Sequence, residues 1–322
     1  MKTDDEARRR SLGASSPAAA APADLAPLVD ERGRAQLELA WAGRPGFWGW
    51  LTSTHHRSVS KRYIVTCFVF FALGGVAALL MRIQLATPEN RFINPDLYNQ
   101  LFTTHGSNMM FLFAVPVMEA MGLYLIPLMI GTRNVAFPRL NAYGYWAFVT
   151  GGILLWTSLF FNSAPDVGWF AYAPLSTTYD PGKRADIWAQ LVTFTEIAAL
   201  VAAVEVIVTV GKLRAPGMTL ARMPLFVWSM LVTAFMIIFA MPAVMLASNN
   251  FLGADRAVST QFLNPAEGGD VLLWQHMFWF FGHPEVYIMF IPGLGMVSMI
   301  VSTFSRRQVF GYPAMVVSLI AT

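Results

Sequence analysis

Three side chains suited to redox or acid–base chemistry stand close together in one apolar stretch of the sequence, namely His283, Glu285 and Tyr287. His283 and Tyr287 are four residues apart, so on a helix their side chains are neighbours on one face. A neutral imidazole is a common metal ligand, and the phenol would contact an imidazole that binds a metal. Glu285 lies about 200° round the helix from His283, so its carboxyl group faces a different neighbour.

Pro284 stands inside this group. Proline lacks a backbone donor and clashes with the preceding turn, so a local distortion of the helix is predicted. Ionisable groups inside apolar helices are costly and are usually functional, and packing alone explains this cluster poorly. The main alternative at this point is a redox-inactive membrane transporter, since transporters also use broken helices and buried carboxylates.

His105 is a second candidate ligand. Gly106 and Ser107 follow it and would let a large planar group approach the helix, and imidazole is a standard axial ligand of heme iron. A histidine hydrogen-bonded between helices is an equal alternative on these residues alone. His276, seven residues before His283, lies about 10 Å away along a helix and is predicted to have a structural or supporting role.

The composition of the chain indicates a bilayer environment for these residues. Hydrophobic residues make up 56% and charged residues 13% of the 322 residues, against roughly 45–50% and about 25% in soluble domains. The single cysteine, Cys67, excludes a disulfide framework or a thiolate metal site within the chain. The net charge of +3 forms no contiguous basic patch, so no nucleic-acid partner is predicted.

The apolar stretches predict an all-α integral membrane protein with six complete transmembrane helices and the start of a seventh. The seventh stretch begins near Val309 and stops at Thr322, so the chain is predicted to be truncated at its carboxyl end. Residues 1–43 are predicted to be a disordered tail, and 44–322 the transmembrane domain. The six stretches lie near Tyr63–Ile83, Tyr98–Ile130, Ala142–Phe161, Asp186–Val210, Pro224–Ser248 and Val271–Thr303.

Basic residues alternate between successive loops, which predicts that the amino terminus is cytoplasmic. His55 and His56, among basic residues before the first apolar stretch, are predicted to be solvated at that surface. The basic residues on the predicted cytoplasmic side are Arg57, Lys61, Arg62, Arg133, Arg139, Lys212, Arg214, Arg222, Arg306 and Arg307.

These motifs together resemble a known family. The segment Trp279 to Tyr287, preceded by Trp274-Gln275-His276 and followed by Pro292-Gly293-Leu294-Gly295, closely resembles helix VI of subunit I of the A-type heme–copper oxidases, the cytochrome c oxidase class. The resemblance runs from about residue 47 to the end of the chain. Shorter matches are Trp48-Gly49-Trp50-Leu51, Thr104-His105, Pro127-Leu128-Met129-Ile130-Gly131, Ala136-Phe137-Pro138-Arg139-Leu140-Asn141, Gly168-Trp169 and Pro224-Leu225-Phe226-Val227-Trp228.

The resemblance implies roles for the candidate ligands. His105 would be one of two axial ligands of a low-spin heme, with Arg82 near that heme and Trp169 near the heme propionates. His283 would be one of three histidine ligands of a copper ion that faces a high-spin heme. Tyr287 would be the tyrosine that is covalently linked to this histidine and supplies an electron and a proton to oxygen. The remaining ligands would follow Thr322.

The resemblance also implies a proton pathway and an overall function. Glu285 would be the carboxylate that gates protons, and Ser298 a residue of a second pathway. The chain would be the catalytic subunit of a terminal respiratory oxidase, reducing O2 to water with electrons from cytochrome c and coupling this to proton translocation. It would bind two hemes of the a type and one copper ion, and assemble with subunit II, which carries a dicopper centre, and subunit III in the bacterial inner membrane.

The same superfamily contains two other kinds of oxidoreductase that differ from the predicted cytochrome c oxidase. A quinol oxidase differs chiefly in its electron-accepting partner subunit and stays an alternative. A nitric oxide reductase is not expected to carry the pair His283 and Tyr287.

The sequence departs from the family where the main proton pathway usually begins. Asn134, which cannot titrate, stands where the family has an aspartate, and Glu119 lies in a segment that replaces a Gly-rich turn. We expect Glu119, about 21 Å deeper than His105 and within about 40° of its face, or Glu205 to take up protons instead. Glu196 is nine residues before Glu205, on the opposite helix face, so these two could not share one path. The alternative is that these carboxyls are protonated and only hydrogen-bonded.

Overall fold

The computed structural model describes residues 46–177, 179 and 182–322. The predicted disordered tail, residues 1–43, therefore lies outside the described residues. The chain divides into two compact units, Met1–Leu51 and Thr52–Thr322. The described part of the first unit belongs to helix α1 (Gly46–Thr52), in which the Phe47 ring contacts two tryptophan rings of the same helix.

The described part of the second unit consists of helices and connecting turns, with no strand among the described residues. Two of the long helices contain a seven-residue π-helical stretch. The helices are α2 (His56–Gln84), α3 (Pro95–Ser107), α4 (Val115–Ile130), α5 (Pro138–Phe160), α6 (Arg184–Lys212), α7 (Leu225–Met245), α8 (Gly253–Val258), α9 (Val271–Ser305) and α10 (Tyr312–Ala321), with π-helix at Asn108–Ala114 and Leu246–Leu252 and 3₁₀-helix at Leu220–Arg222 and Pro265–Glu267.

Each of the six predicted apolar stretches is helical, which confirms the all-α membrane fold class. Five helical segments among the described residues are long and apolar enough to cross a bilayer. Helix α5, with 23 residues, is not one of the five, and α10 has 10 residues. The five segments are His56–Gln84, Pro95–Ile130, Arg184–Lys212, Leu225–Val258 and Val271–Ser305.

Side-chain caps determine where the site-bearing helices begin. Asn94 Oδ1 accepts a hydrogen bond of 2.7 Å from the Leu97 amide at the start of α3, and Asp270 Oδ1 accepts one of 2.8 Å from the Leu272 amide at the start of α9. Such caps satisfy amide donors that have no partner within the helix. At the other end α9 stops at Arg306, whose φ is 53°, a left-handed conformation that ends a helix.

The π-helical stretch Asn108–Ala114 separates His105 from Glu119 and changes their relation. The buried side chain of Asn108 holds this stretch in place, because its Nδ2 donates to the Phe70 carbonyl at 2.8 Å and its Oδ1 accepts from Trp156 Nε1 at 2.9 Å. A π-helix has a wider turn than an α-helix. The expectation that Glu119 lies within about 40° of the face of His105 assumed a regular α-helix, and the π-helical stretch removes that assumption.

The main core lies where α9 packs against α7, and where α6 packs against α4 and α7. A glycine allows the close approach of α9 to α7. A Cβ atom on Gly295 would lie 2.9 Å from the Cα of Phe226 and would also clash with the Ser229 side chain. Backbone cannot move aside as a side chain can, so this position tolerates no larger residue without a shift of the helix.

We expect Gly295→Ala to destabilise the α7 and α9 pair by about 1–3 kcal/mol, the usual cost of overpacking. Gly293→Ala is the matched control, since a Cβ there meets nothing within 4 Å among the described residues. The measurement is the thermal unfolding midpoint of the full-length protein in detergent. Equal midpoints for the two variants would contradict this packing.

Candidate functional site

The imidazole of His105 is fixed by a hydrogen bond to a neighbouring helix. Its Nδ1 lies 2.9 Å from the carbonyl oxygen of Gly74 in α2. A carbonyl can only accept, so Nδ1 carries the hydrogen and donates it. Nε2 then keeps its lone pair, and the ring is half-buried. This is the arrangement expected of a metal-binding histidine whose second nitrogen is oriented by a partner.

The space beside Gly106 is filled by Trp169. A Cβ on Gly106 would lie 3.0 Å from the Trp169 Cβ and 3.2 Å from its Cδ1, so the glycine makes room for this indole rather than leaving an open surface. The indole also packs edge-on against Phe278 and Trp279 of α9. Trp169 therefore links the helix of His105 to the helix of His283.

Arg82 lies near the carboxyl end of α2 and is exposed. It is eight residues after Gly74, which corresponds to about 12 Å along the helix. Arg82 therefore lies farther toward the end of α2 than the His105 ring, and the structure records no ion pair for it among the described residues.

The rings of His283 and Tyr287 are adjacent, as their spacing predicted. Their centroids are 4.8 Å apart with an interplanar angle of 64°. Helix α9 continues from Val271 to Ser305 with Pro284 inside it, so the expected distortion does not interrupt the helix. His283 is exposed, whereas Tyr287 is half-buried and packs against a cluster made of Leu225, Ile291, Val316 and Leu319. Of the two rings, the imidazole is therefore the one that lies at an open part of the surface of α9.

His283 is a single imidazole on this face. No group of three or more His, Cys, Asp or Glu side chains able to hold a metal occurs among the described residues. His276 is also exposed on α9, and nothing in the structure assigns it a ligand role. One imidazole with an adjacent phenol fits one position in the coordination of a metal ion, and further donors are needed to complete it.

Glu285 points to the opposite side of α9, into the core. Its side chain is fully buried, and both carboxyl oxygens have no hydrogen-bond partner among the described residues. Together with Glu119 of α4 and Glu196 of α6, it lines a small cavity that we call the carboxylate cavity. Its volume available to the centre of a water molecule is about 10 Å³, which is enough for roughly one water.

Glu119 also lines a second cavity, which lies nearer the start of α7 than the first and which we call the inner cavity. This cavity has the same volume of about 10 Å³ and is bounded by α6 and α7. Its polar lining is Glu119 and Thr233, and the buried hydroxyl of Thr233 has no partner in the described part of the chain. Glu119 thus lies between two cavities that each have room for about one water molecule, and its carboxyl group lines both.

Glu205 occupies a different position. Its Oε2 accepts a hydrogen bond of 3.1 Å from the Phe137 amide, at the start of α5, while Thr209 Oγ1 accepts one of 2.9 Å from the Ala136 amide. A carboxylate at a helix amino terminus is stabilised by the unpaired amides and the helix dipole. Glu205 therefore has a structural role that Glu119 lacks, and it does not line either cavity.

The side chain of Asn134 is held by backbone amides close to the starts of α2 and α5. Its Oδ1 accepts from the amides of His56 and Val135, each at 3.0 Å. His56 is fully buried, so the prediction that it is solvated is wrong. His55 is half-buried and stacks on it with centroids 4.8 Å apart. Burial, followed by the charges of Arg57 and Arg133, lowers the pKa of His55.

Ser298 lies on α9 below the histidine and tyrosine pair. It is eleven residues after Tyr287, which corresponds to about 16 Å along the helix and about 20° round it. Its hydroxyl donates to the Leu294 carbonyl at 2.8 Å, within its own helix. The residue therefore shares the face of Tyr287 and is turned toward its own backbone.

Sequence reasoning missed that Glu196 and Glu119 meet in one cavity. They belong to different helices, and no spacing in the chain reports how α4 and α6 pack. The aromatic cluster that joins Trp169 to Phe278 and Trp279 was missed for the same reason. The only signal of the first meeting was the rarity of carboxylates in apolar stretches.

Comparison with known proteins identifies relatives of the whole membrane unit. The model of the family described as Cytochrome C and Quinol oxidase polypeptide I matches residues 58–322. Proteins named cytochrome c oxidase subunit 1 are 43% identical in Bacillus sp. (strain PS3), over 84% of this chain and 44% of the relative, and 41% identical in Bacillus subtilis (strain 168), over 85% and 44%. The protein of that name from Alkalihalophilus pseudofirmus is 44% identical over 84% of this chain and 43% of the relative. The chain therefore spans slightly less than half the length of these relatives.

Proposed function

We propose that this chain, which belongs to the Cytochrome C and Quinol oxidase polypeptide I family, is part of the catalytic subunit of a terminal respiratory oxidase. The enzyme reduces O2 to water with electrons from cytochrome c and couples this reaction to proton translocation. The observation that carries the proposal is the pair His283 and Tyr287, with ring centroids 4.8 Å apart on α9, backed by the unpaired buried carboxyl group of Glu285.

Two hemes of the a type and one copper ion are the cofactors of this proposal; when bound, they accept electrons and provide the place where oxygen is reduced. His105 fits an axial heme ligand, because its Nδ1 donates to Gly74 and its Nε2 keeps the lone pair. Trp169 closes one side of the helix beside it, and Arg82 supplies positive charge farther out, where heme propionates would need it.

His283 is proposed to bind the copper ion. Its ring lies against the phenol of Tyr287, so Tyr287 holds a proton next to the metal-binding imidazole and can release it there. His283 is exposed on α9, and the other donors and the high-spin heme would have to approach it from that side. The described residues supply one of the copper ligands.

Protons are proposed to reach this site through Glu119 and Glu285. Glu119 lines both cavities, and Glu285 lines the outer one, so a proton released by Glu119 can pass to Glu285 across one water. Glu205 is the alternative group for proton uptake, and Ser298 is proposed as part of a second path toward Tyr287. The structural alternative for Glu205 is its bond to the Phe137 amide.

The protein is integral to a membrane, and we place it in the bacterial inner membrane with its amino terminus in the cytoplasm, from the distribution of basic residues. Its proposed partners are subunit II with a dicopper centre, subunit III and cytochrome c. Quinol is the alternative electron donor, since the family description covers both kinds of oxidase.

An optical spectrum and a metal analysis of the complete oxidase test the proposal. We expect reduced-minus-oxidised heme bands, two hemes in this subunit and copper in excess of one ion per complex, because subunit II adds its dicopper centre. A single copper ion with both hemes would favour quinol as the donor. The absence of any heme band would exclude an oxidase and leave a redox-inactive transporter.

A further inference from the structure

Glu196 is a buried carboxyl group that the proposed electron and proton steps do not use. Its side chain is 1% exposed, and neither carboxyl oxygen has a hydrogen-bond partner among the described residues. Leaving such a group unpaired in an apolar interior is expensive. Its surroundings must therefore either keep it neutral or provide a partner that the protein side chains do not.

The carboxylate cavity, which Glu196 lines, could supply this partner. Glu119, Glu196 and Glu285 all line it, and the hydroxyl of Thr195, which also lines it, donates to the Leu191 and Val192 carbonyls. The rest of the lining is apolar: Phe111, Val115, Pro116, Ala199 and Met241. A water molecule in this volume would have carboxyl oxygens as its polar neighbours, which meets the requirement for two or more partners.

The charged and titratable groups that face this cavity are acidic. From α2, Tyr63 and Cys67 lie close enough to Glu119 to interact electrostatically with it. None of the described residues that line the cavity is basic. Carboxylates that share a site and lack a cation cannot all be ionised, so protons must be divided among them.

We propose that Glu196 and Glu119 share a proton through a water molecule in the carboxylate cavity, and that Glu196 is a proton store beside the path to Glu285. This inference rests on the proposed function and extends it. When Glu119 gives its proton to the water, the water gives one of its own protons to the carboxylate of Glu196. The transfer leaves Glu119 ionised, the water unchanged and Glu196 neutral.

The two cavities distinguish the roles of the two residues. Glu119 lines both, so a proton that moves from the inner cavity to the outer one can pass through its carboxyl group. Glu196 lines only the outer cavity, alongside Glu285. Glu196 can therefore receive a proton without being needed for the passage of each one, which separates storage from transport.

Infrared spectroscopy of the complete oxidase tests this site, using the difference between spectra in H2O and D2O. We expect bands of protonated carboxyl groups, with one band lost in Glu196→Gln and the band of Glu119 shifted, because the two share a water. Glu196→Asp should keep a protonated band at an altered frequency. Glu267→Gln, at an exposed turn, should change none of them.

Retention of every wild-type carboxyl band in Glu196→Gln would overturn the proposal. So would loss of one band without any shift in the band that Glu119→Gln removes. If Glu196→Gln fails to assemble, Glu196→Asp decides the matter, since an unshifted spectrum in that variant contradicts the shared proton. The infrared measurement does not depend on heme. If Glu196→Gln lost a carboxyl band in a protein that has no oxidase activity, the result would support this site and refute the proposed oxidase function.

Discussion

Replacing His105 by alanine is expected to abolish the low-spin heme signal of the complete oxidase and reduce oxygen consumption to background. The reason is local, since the His105 Nδ1 donates to the Gly74 carbonyl and directs the unprotonated Nε2 away from α2. Alanine supplies no donor atom for iron. The measurement is the reduced-minus-oxidised optical spectrum, with heme content determined on the same sample.

His276→Ala is the control for this substitution. It also removes an imidazole from an apolar helix, but His276 is exposed on α9 and has no proposed ligand role. We expect its heme spectrum to match that of the unmodified protein. A normal low-spin signal in His105→Ala, or its loss in both variants, would remove the basis for assigning His105 to the heme.

Glu119→Gln is expected to slow oxygen reduction by about 100-fold or more, the range typical when a proton-transferring group is removed. Glutamine keeps the shape and buried position of Glu119 but cannot release a proton between the two cavities. Turnover and proton uptake from the inner side should fall together, while the heme spectrum is unchanged. Oxygen-electrode rates and a pH-indicating dye in vesicles give the two quantities.

Glu205→Gln is the comparison variant for Glu119→Gln, and Glu267→Gln is the control. Glu205 accepts from the Phe137 amide, and the amide oxygen of glutamine can still do so, so we expect a smaller loss of turnover than in Glu119→Gln. Glu267 lies at an exposed turn, and its variant should behave as wild type. Wild-type turnover and uptake in both Glu119→Gln and Glu205→Gln would refute the rebuilt proton path.

The helices of this fold could be predicted from the sequence because apolar length alone identifies a membrane span. The predicted positions of the helix ends were less accurate. The first stretch was predicted from Tyr63, yet α2 begins at His56, since polar residues before the apolar stretch continue the same helix. Arg62 Nη2, for example, donates to the Ser53 carbonyl at 2.8 Å. Hydrogen bonds to the backbone, and not hydropathy, determine where such a helix begins.

Local contacts of the site were predictable, and contacts between helices were not. The adjacency of His283 and Tyr287 follows from their spacing on one helix, and the structure places their rings side by side. The meeting of Glu119 and Glu196 depends on how α4 and α6 pack, and the π-helical stretch before α4 changed the face that Glu119 presents. The spacing of residues in the sequence reports neither how two helices pack nor where a π-helical stretch occurs.

Oxygen consumption by the complete enzyme in vesicles, driven by reduced cytochrome c, tests the central claim most directly. The account predicts rapid consumption accompanied by proton uptake from the inner side, with both falling together in Glu119→Gln. Consumption with quinol but not with cytochrome c would assign the alternative donor. No consumption with either donor, in a preparation that contains its hemes and copper, would contradict the claim that this protein reduces oxygen.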